Sequence, residues 1–335
     1  MPQRLDRDGP AARRPFGPRE GLGRPALAAL AALPAAVPGL VAVVVLLAVL
    51  QPAALGVGFL LIVLRQAAPL GIVALGQSLV VLNRSLDLSV GGVIALVNVV
   101  LAHRLVADAP VAVSFLAPLV IGGLVGAANG LLVARVRASA VIVTLGMWTV
   151  LIGLSYIVSQ GAPGGRIHPE LAAFAAWRPA GIPTAVLTWA GLTAIAAFVL
   201  RSTNYGLATY AAGNAPRAAF LAGLPTARIL FLGHVASGLL AGLSGLMISA
   251  YIGTGTLNLG SDLVLASIAA TILGGVTFAG GRGSPIGVAA GALLTVLIGA
   301  VLTILGIGTP GKLVVYGLVI AVAAALAARR TREGL

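Results

Sequence analysis

Long apolar runs alternate with short polar breaks along almost the whole chain. Taken in order, they predict about ten spans, at 26–50, 59–83, 88–107, 111–134, 140–160, 184–200, 228–252, 263–279, 286–307 and 313–328. Several reach the roughly 20 residues that cross a ~30 Å hydrocarbon core as helix, with few or no ionisable side chains. Lipid offers no hydrogen-bond partners, and a helix satisfies its own backbone. The pattern therefore predicts an all-α, polytopic membrane protein. Two connections are long enough to hold structure of their own, 161–183, rich in Pro and Gly, and 201–227.

Composition agrees. Of 335 residues, 59% are hydrophobic and 9% charged, more apolar surface than a water-soluble fold of this size can hide. The net charge of +13 would suit nucleic acid, but the basic residues lie between apolar spans and no aromatic-rich basic element accompanies them, so no nucleic-acid partner is expected. Membrane topology explains the charge. Residues 1–25, with Arg4, Arg7, Arg13, Arg14, Arg19 and Arg24 among Pro and Gly, read as a disordered basic tail. If that tail is cytosolic, Arg84, Arg135, Arg137, Arg201, Arg217, Arg228, Arg282, Arg329, Arg330 and Arg332 are cytosolic with it, 16 of the 21 basic residues. Arg104, Arg166, Arg178 and Lys312 fall outside, and Arg65 lies near the outer end of the second span. Basic residues favour the cytosolic side. The expected layout is a cytosolic tail 1–25, a transmembrane domain 26–328 and a basic cytosolic tail 329–335. Trp177 and Trp189 are expected to flank an outer interface.

Candidate chemistry is sparse. Cysteine is absent, which removes disulfides, thiolate metal sites and thiol nucleophiles. His103, His168 and His234 are scattered, which suggests loop or interface positions and no metal site. The run Gly306 to Leu313 has the glycine and lysine spacing of a phosphate loop, but Leu313 stands where a magnesium-binding Ser or Thr belongs. With no other nucleotide site or nucleophile elbow, the chain is expected to be no enzyme, and any energy must come from a partner. Gly122, Gly126 and Gly130, and Gly238 and Gly242, recur at four-residue spacing, which allows close helix crossing. Asp87-Leu88 and Asp262-Leu263 each precede a span rich in small residues, a faint sign of duplication.

Asp87 sits at the junction of the second and third spans, where a carboxylate is costly unless paired or solvated. It can cap a helix opening at Leu88, pair with Arg84 or meet solute. In the inner loop, residues 214–223 read as a short helix capped by Asn214, with Pro216 in its first turn, Gly223 as its stop, and Phe220 and Leu221 as apolar surface. A polar path, if present, has Gln77, Asn83, Asn98, Asn129, Thr144 and Asn258 as candidates, with helix–helix hydrogen bonding as the competing role of each.

The chain resembles the permease family of bacterial ribose-type ABC importers from about residue 60 to 328. The resemblance rests on Gly76-Gln77, then Leu86-Asp87-Leu88-Ser89-Val90-Gly91, Val143-Thr144-Leu145-Gly146, Gly213-Asn214 with Ala218-Ala219 and Gly223, Ser237 to Leu243, Gly274-Gly275 and Gly280-Gly281-Arg282-Gly283-Ser284. It implies a multi-pass inner-membrane permease subunit for a monosaccharide or related solute, with no cofactor of its own. It also implies a cytosolic ATPase that binds ATP and magnesium, a solute-binding protein outside, and a second permease copy or homologue. By resemblance the 214–223 helix is the ATPase-coupling helix, carried by Gly213, Asn214, Arg217, Ala218, Ala219 and Gly223. Asp87, Ser89, Gly91, Thr144, Gly146, Gly274, Gly275 and Arg282 carry the structural motifs. A branched-chain amino acid or nucleoside permease of the same superfamily is the alternative. An ion-coupled carrier would need membrane carboxylates or histidines, and only Asp87 could serve. The chain departs from the family pattern where Arg84-Ser85 replaces Gly-Gly, where Arg217 replaces an acidic residue, and where Ala138-Ser139-Ala140 replaces prolines.

Overall fold

A computed structural model describes residues 36–333, so the expected tail 1–25 lies outside the described residues. All regular structure among the described residues is helical. Six helices are long and apolar enough to cross a membrane: α2 (Val57–Leu82), α5 (Val111–Ala134), α6 (Ala140–Ser159), α8 (Thr184–Ser202), α11 (Thr226–Ile252) and α13 (Pro285–Ile304). Two other expected spans are shorter helices, α3 (Val90–Ala102) and α12 (Ser261–Leu273). Of the expected span 26–50, α1 (Ala36–Leu50) is the described part, and α14 (Thr309–Glu333) covers the expected 313–328. The expected tail from 329 is helical as far as Glu333.

Two spans expected to be continuous are broken. The run 88–107 divides at His103, whose extended backbone separates α3 from the short α4 (Arg104–Ala107). The run 263–279 stops as helix at Leu273, before Gly274-Gly275. At ~1.5 Å per residue, a 13-residue helix such as α3 or α12 covers only ~20 Å. The missing depth is made up by non-helical chain. Residues 86–89 lead into α3 from one end of the bundle, and residues 253–260 run in from the other, alongside α3. Asn98 of α3 supports the second segment. Its Oδ1 accepts from the Thr256 amide at 2.6 Å, and its Nδ2 donates to the Thr254 carbonyl at 3.1 Å. Irregular backbone at membrane depth survives only where protein or a wet cavity satisfies it.

α11 is the central helix, packed by α5, α2 and α3. Glycine sets the α5–α11 crossing, because a Cβ added at Gly122 would fall on the Gly238 carbonyl oxygen, and one at Gly238 on the Gly122 oxygen. Gly126 meets the backbone of His234 and Val235, and Gly242 meets Pro118. The two expected glycine runs are thus the two faces of one contact. Trp189, expected at an outer interface, is instead 6% exposed, its indole filling the space beside Gly71 of α2. Trp177 is exposed. Outward faces keep bare apolar side chains, among them Leu124, Ile142, Ile157 and Phe198, as expected of surface that meets lipid or another membrane chain.

Both long connections carry helices. In 161–183 lies α7 (Pro169–Ala176), capped by His168, whose Nδ1 accepts from the Glu170 amide at 3.2 Å. His103 caps α4 in the same way. In 201–227 lie α9 (Asn204–Asn214) and α10 (Pro216–Leu221).

Candidate functional site

Two polar assemblies stand out at the basic end of the bundle. The first is buried around Asp87, which is 1% exposed. Its Oδ1 accepts from the Ser89 amide at 3.0 Å and the Ser89 hydroxyl at 2.6 Å. Its Oδ2 accepts from the Ser237 hydroxyl of α11 at 2.8 Å. Asn129 of α5 donates to Ser89 Oγ at 2.8 Å. The neighbouring Leu88 amide donates to Thr144 Oγ1 of α6 at 3.1 Å. Beside this cluster, Ser85 Oγ and His234 Nε2 lie hydrogen-bonded at 3.1 Å. A carboxylate out of water is tolerable when hydrogen bonds replace its hydration, and donors from the α3 entry and from α11 do that here. Asp87 does not cap α3 as expected: the helix opens at Val90, two residues later, with Ser89 as its N-cap and no side-chain bond to a first-turn amide, and Asp87 instead fixes Ser89 just ahead of it. No pairing with Arg84 forms, and the only ion pair among the described residues is Arg166 with Asp108.

His234 overturns a sequence expectation, being fully buried in α11 and not on a loop or interface. The partnership of Asp87 with Ser237 has no local signal in the sequence, although both residues lie in family motifs. They are 150 residues apart, and no local spacing connects them.

The second assembly is a clasp of loops. The Arg84 guanidinium donates through Nε to the Gly213 carbonyl at 2.7 Å and through Nη2 to the Asn214 carbonyl at 2.9 Å. Asn214 Nδ2 donates to the Gly281 carbonyl at 2.9 Å, and the Gly281 amide to the Leu82 carbonyl at 2.9 Å. Tyr210 Oη donates to the Gly283 carbonyl at 2.9 Å, and burial raises its pKa, so the phenol stays a donor at neutral pH. The backbone packing is tight enough that a Cβ at Gly213 would overlap the Leu82 carbonyl and the Gly281 backbone. Arg84 has φ 59°, a conformation that favours glycine.

From this clasp the chain enters α10. Asn214 is the last residue of α9 and does not cap α10, whose N-cap is Ala215 without a side-chain bond. Pro216 does open the helix, and Gly223 at φ 81° follows its end. Ala219 is buried against Ala212 and Ile229, which turns Phe220 and Leu221 outward at 65% and 77% exposure. Arg217 and Ala218 are exposed as well.

The other motif residues have packing roles. Gly91 lies against Val264 and the Gly260 carbonyl, and Gly274 against Gly287 and Val288 of α13. Gly275 has φ 90°. Gly146 faces open space within this chain. The Arg282 side chain is exposed, while its carbonyl accepts from the Thr277 amide. Of the path candidates, Gln77, Asn98 and Asn129 are fully buried, so none faces an open cavity of this conformation. Asn83 donates to the Leu79 carbonyl of its own helix, and Asn258 is exposed in the 253–260 segment.

A family described as "Branched-chain amino acid transport system / permease component" matches residues 59–324. The chain belongs to this family. The match spans both assemblies and runs from the start of α2 into α14. Among its relatives is the ribose import permease protein of Escherichia coli (strain K12), 32% identical over 291 residues, covering 85% of this chain and 91% of that one. The ribose import permease protein of Bacillus subtilis (strain 168) is 30% identical, covering 86% and 90%. The fructose import permease protein of Rhizobium meliloti is 32% identical over 306 residues, covering 88% and 85%. No solved structure matches the chain. As a member of this permease family it is a multi-pass inner-membrane transport component.

Proposed function

We propose that this chain is the permease subunit of an ABC importer that carries a monosaccharide or related small polar solute across the inner membrane. The observation that carries the reading is α10, a short helix with Phe220 and Leu221 turned outward beside Arg217, held by the Arg84–Gly213–Asn214–Gly281 clasp. An apolar tip with a basic flank suits a groove on a cytosolic partner, and the clasp gives that partner a mechanical hold on α2 and on the loop between α12 and α13. The relatives named for ribose and fructose import support the solute class.

In this reading the basic end is cytosolic and both chain ends lie on that side, in keeping with the distribution of arginines. A separate ATPase binds ATP and magnesium and docks on α10. A solute-binding protein delivers solute to the opposite end, and two permease copies, or this chain and a homologue, enclose the path. The alternative is a branched-chain amino acid or nucleoside permease, and of these the family description names branched-chain amino acids.

Co-purification with whole-complex transport tests the proposal. The chain is expected to retain an ATPase bearing an intact phosphate loop, and to take up labelled D-ribose or D-fructose into proteoliposomes only with that ATPase, ATP and the binding protein. Ion-gradient-driven uptake by the chain alone would overturn the reading.

A further inference from the structure

At the end of the bundle opposite the clasp lies a second polar feature, a cavity of about 210 Å³ where α2, α12, α13 and α14 meet. Gln66, Asp262, Thr303, Thr309, Lys312 and Tyr316 bring an amide, a carboxylate, two threonine hydroxyls, an ammonium and a phenol to its walls. Among the described residues, the side chains of Gln66, Asp262, Thr309, Lys312 and Tyr316 make no hydrogen bond to protein, and Asp262 and Lys312 form no ion pair. This contrasts with Asp87, where donors surround the carboxylate. Gln66, Asp262, Thr303 and Thr309 are exposed and Lys312 and Tyr316 half-buried, so the cavity is open and its convergent donors and acceptors are free to meet a small polar molecule entering from outside.

The backbone shows how the cavity arises. The segment 253–260 carries the chain inward along α3, so α12 begins below the end of the bundle and Asp262 in its first turn faces the cavity. At Gly299 of α13 a Cβ would stand 3.3 Å from Tyr316 Oη, so the missing side chain leaves room for the phenol. The amides buried elsewhere, Gln77, Asn98 and Asn129, offer nothing to a solute in this conformation.

We propose that this cavity is the outer entry subsite of the permease and takes a neutral, polyhydroxylated solute. Asp262 accepts hydrogen bonds from neighbouring hydroxyls, Lys312 and the Gln66 amide nitrogen donate, and the Tyr316 and Thr309 hydroxyls do either. A neutral solute leaves the opposite charges of Asp262 and Lys312 balanced. The proposal rests on the importer reading above, because that reading makes this end the outer one and the solute a sugar.

The absence of native cysteine makes the test clean. Single variants Gln66→Cys, Thr303→Cys and Tyr316→Cys in the assembled transporter are treated, in right-side-out vesicles, with a membrane-impermeant methanethiosulfonate. Labelling from outside is expected, slowed several-fold by saturating D-ribose or D-fructose and not by L-leucine. In parallel, Asp262→Asn and Lys312→Met are expected to lower uptake about tenfold or more, the factor that one charge-assisted hydrogen bond is worth. The ATPase is expected to co-purify with these variants as with the wild type, which separates lost transport from lost assembly. Failure of the wild-type complex to import either sugar counts against the importer reading itself. With the wild type active, the subsite is overturned by cysteines that resist labelling, by protection from leucine alone, or by full-rate transport in both charge variants.

Discussion

Arg84 offers a quantitative check on the clasp. Its backbone lies at φ 59°, where a residue with a Cβ costs about 1–2 kcal/mol relative to glycine. Against this stand two hydrogen bonds, of 2.7 and 2.9 Å, to the carbonyls of Gly213 and Asn214 at the end of α9, where a helix terminus favours positive charge. The guanidinium is solvent-exposed, so about 0.5–1.5 kcal/mol for each bond is appropriate, or about 1–3 kcal/mol together. Arg84→Gly relieves the backbone and gives up both bonds, so its stability should fall between about 2 kcal/mol below and about 1 kcal/mol above the wild type. Arg84→Ala keeps the strain and gives up the bonds, which places it about 1–3 kcal/mol below the wild type and about 1–2 kcal/mol below the glycine variant. Thermal unfolding of the purified chain in detergent ranks the three. Because both variants free α9 from the α2 end, both are expected to hydrolyse more ATP per solute carried. An alanine variant as stable as the glycine variant would refute the strain argument, and unchanged coupling in both would refute the clasp.

Other outcomes follow from the same geometry. Ser237→Ala leaves Asp87 Oδ2 without its donor and should cost about 1–3 kcal/mol, read as a lowered unfolding temperature in detergent. Gly238→Ala sets a Cβ on the Gly122 carbonyl oxygen and should cost about 3 kcal/mol or more, whereas Gly146→Ala, inside α6 with nothing within 4 Å, should hold or slightly raise the unfolding temperature of the isolated chain. Replacing Phe220 and Leu221 together by Ala should shift the chain's own stability by about 0.5 kcal/mol or less, since both are exposed, while the ATPase no longer co-purifies. Asn214→Ala, which loses the bond to Gly281, and Gly223→Ala, strained at φ 81°, should insert normally yet raise ATP consumption per solute; normal coupling in both would remove α10 from that role.

Much of this protein is local, and local features are what a sequence states directly. A run of some 20 apolar residues must become a helix in lipid whatever its neighbours do, so the spans of α2, α5, α6, α8, α11 and α13 could be read from hydrophobicity alone. The same applies to Pro216 opening α10 and Gly223 following its end, which are matters of backbone conformation. The glycine runs on α5 and α11 announced close packing without naming their partners, because small residues permit contact but do not choose it.

What the tertiary structure alone decided is wherever an apolar run hides a change of backbone or a polar atom finds a distant partner. The spans 88–107 and 263–279 are as apolar as the rest, yet α3 and α12 are short because non-helical segments enter beside them and are satisfied by groups such as Asn98. Trp189 carries an interfacial kind of side chain but fills the gap beside Gly71, a pairing of α8 with α2 invisible to any window of sequence. Asp87 with Ser237, Arg84 with Gly213, and Gln66 with Asp262 and Lys312 are likewise brought together from far along the chain. Hydrophobicity is additive along the chain and so can be read residue by residue, whereas a hydrogen bond or a cavity depends on two or more elements arriving at one place, and only the packed bundle fixes where they meet.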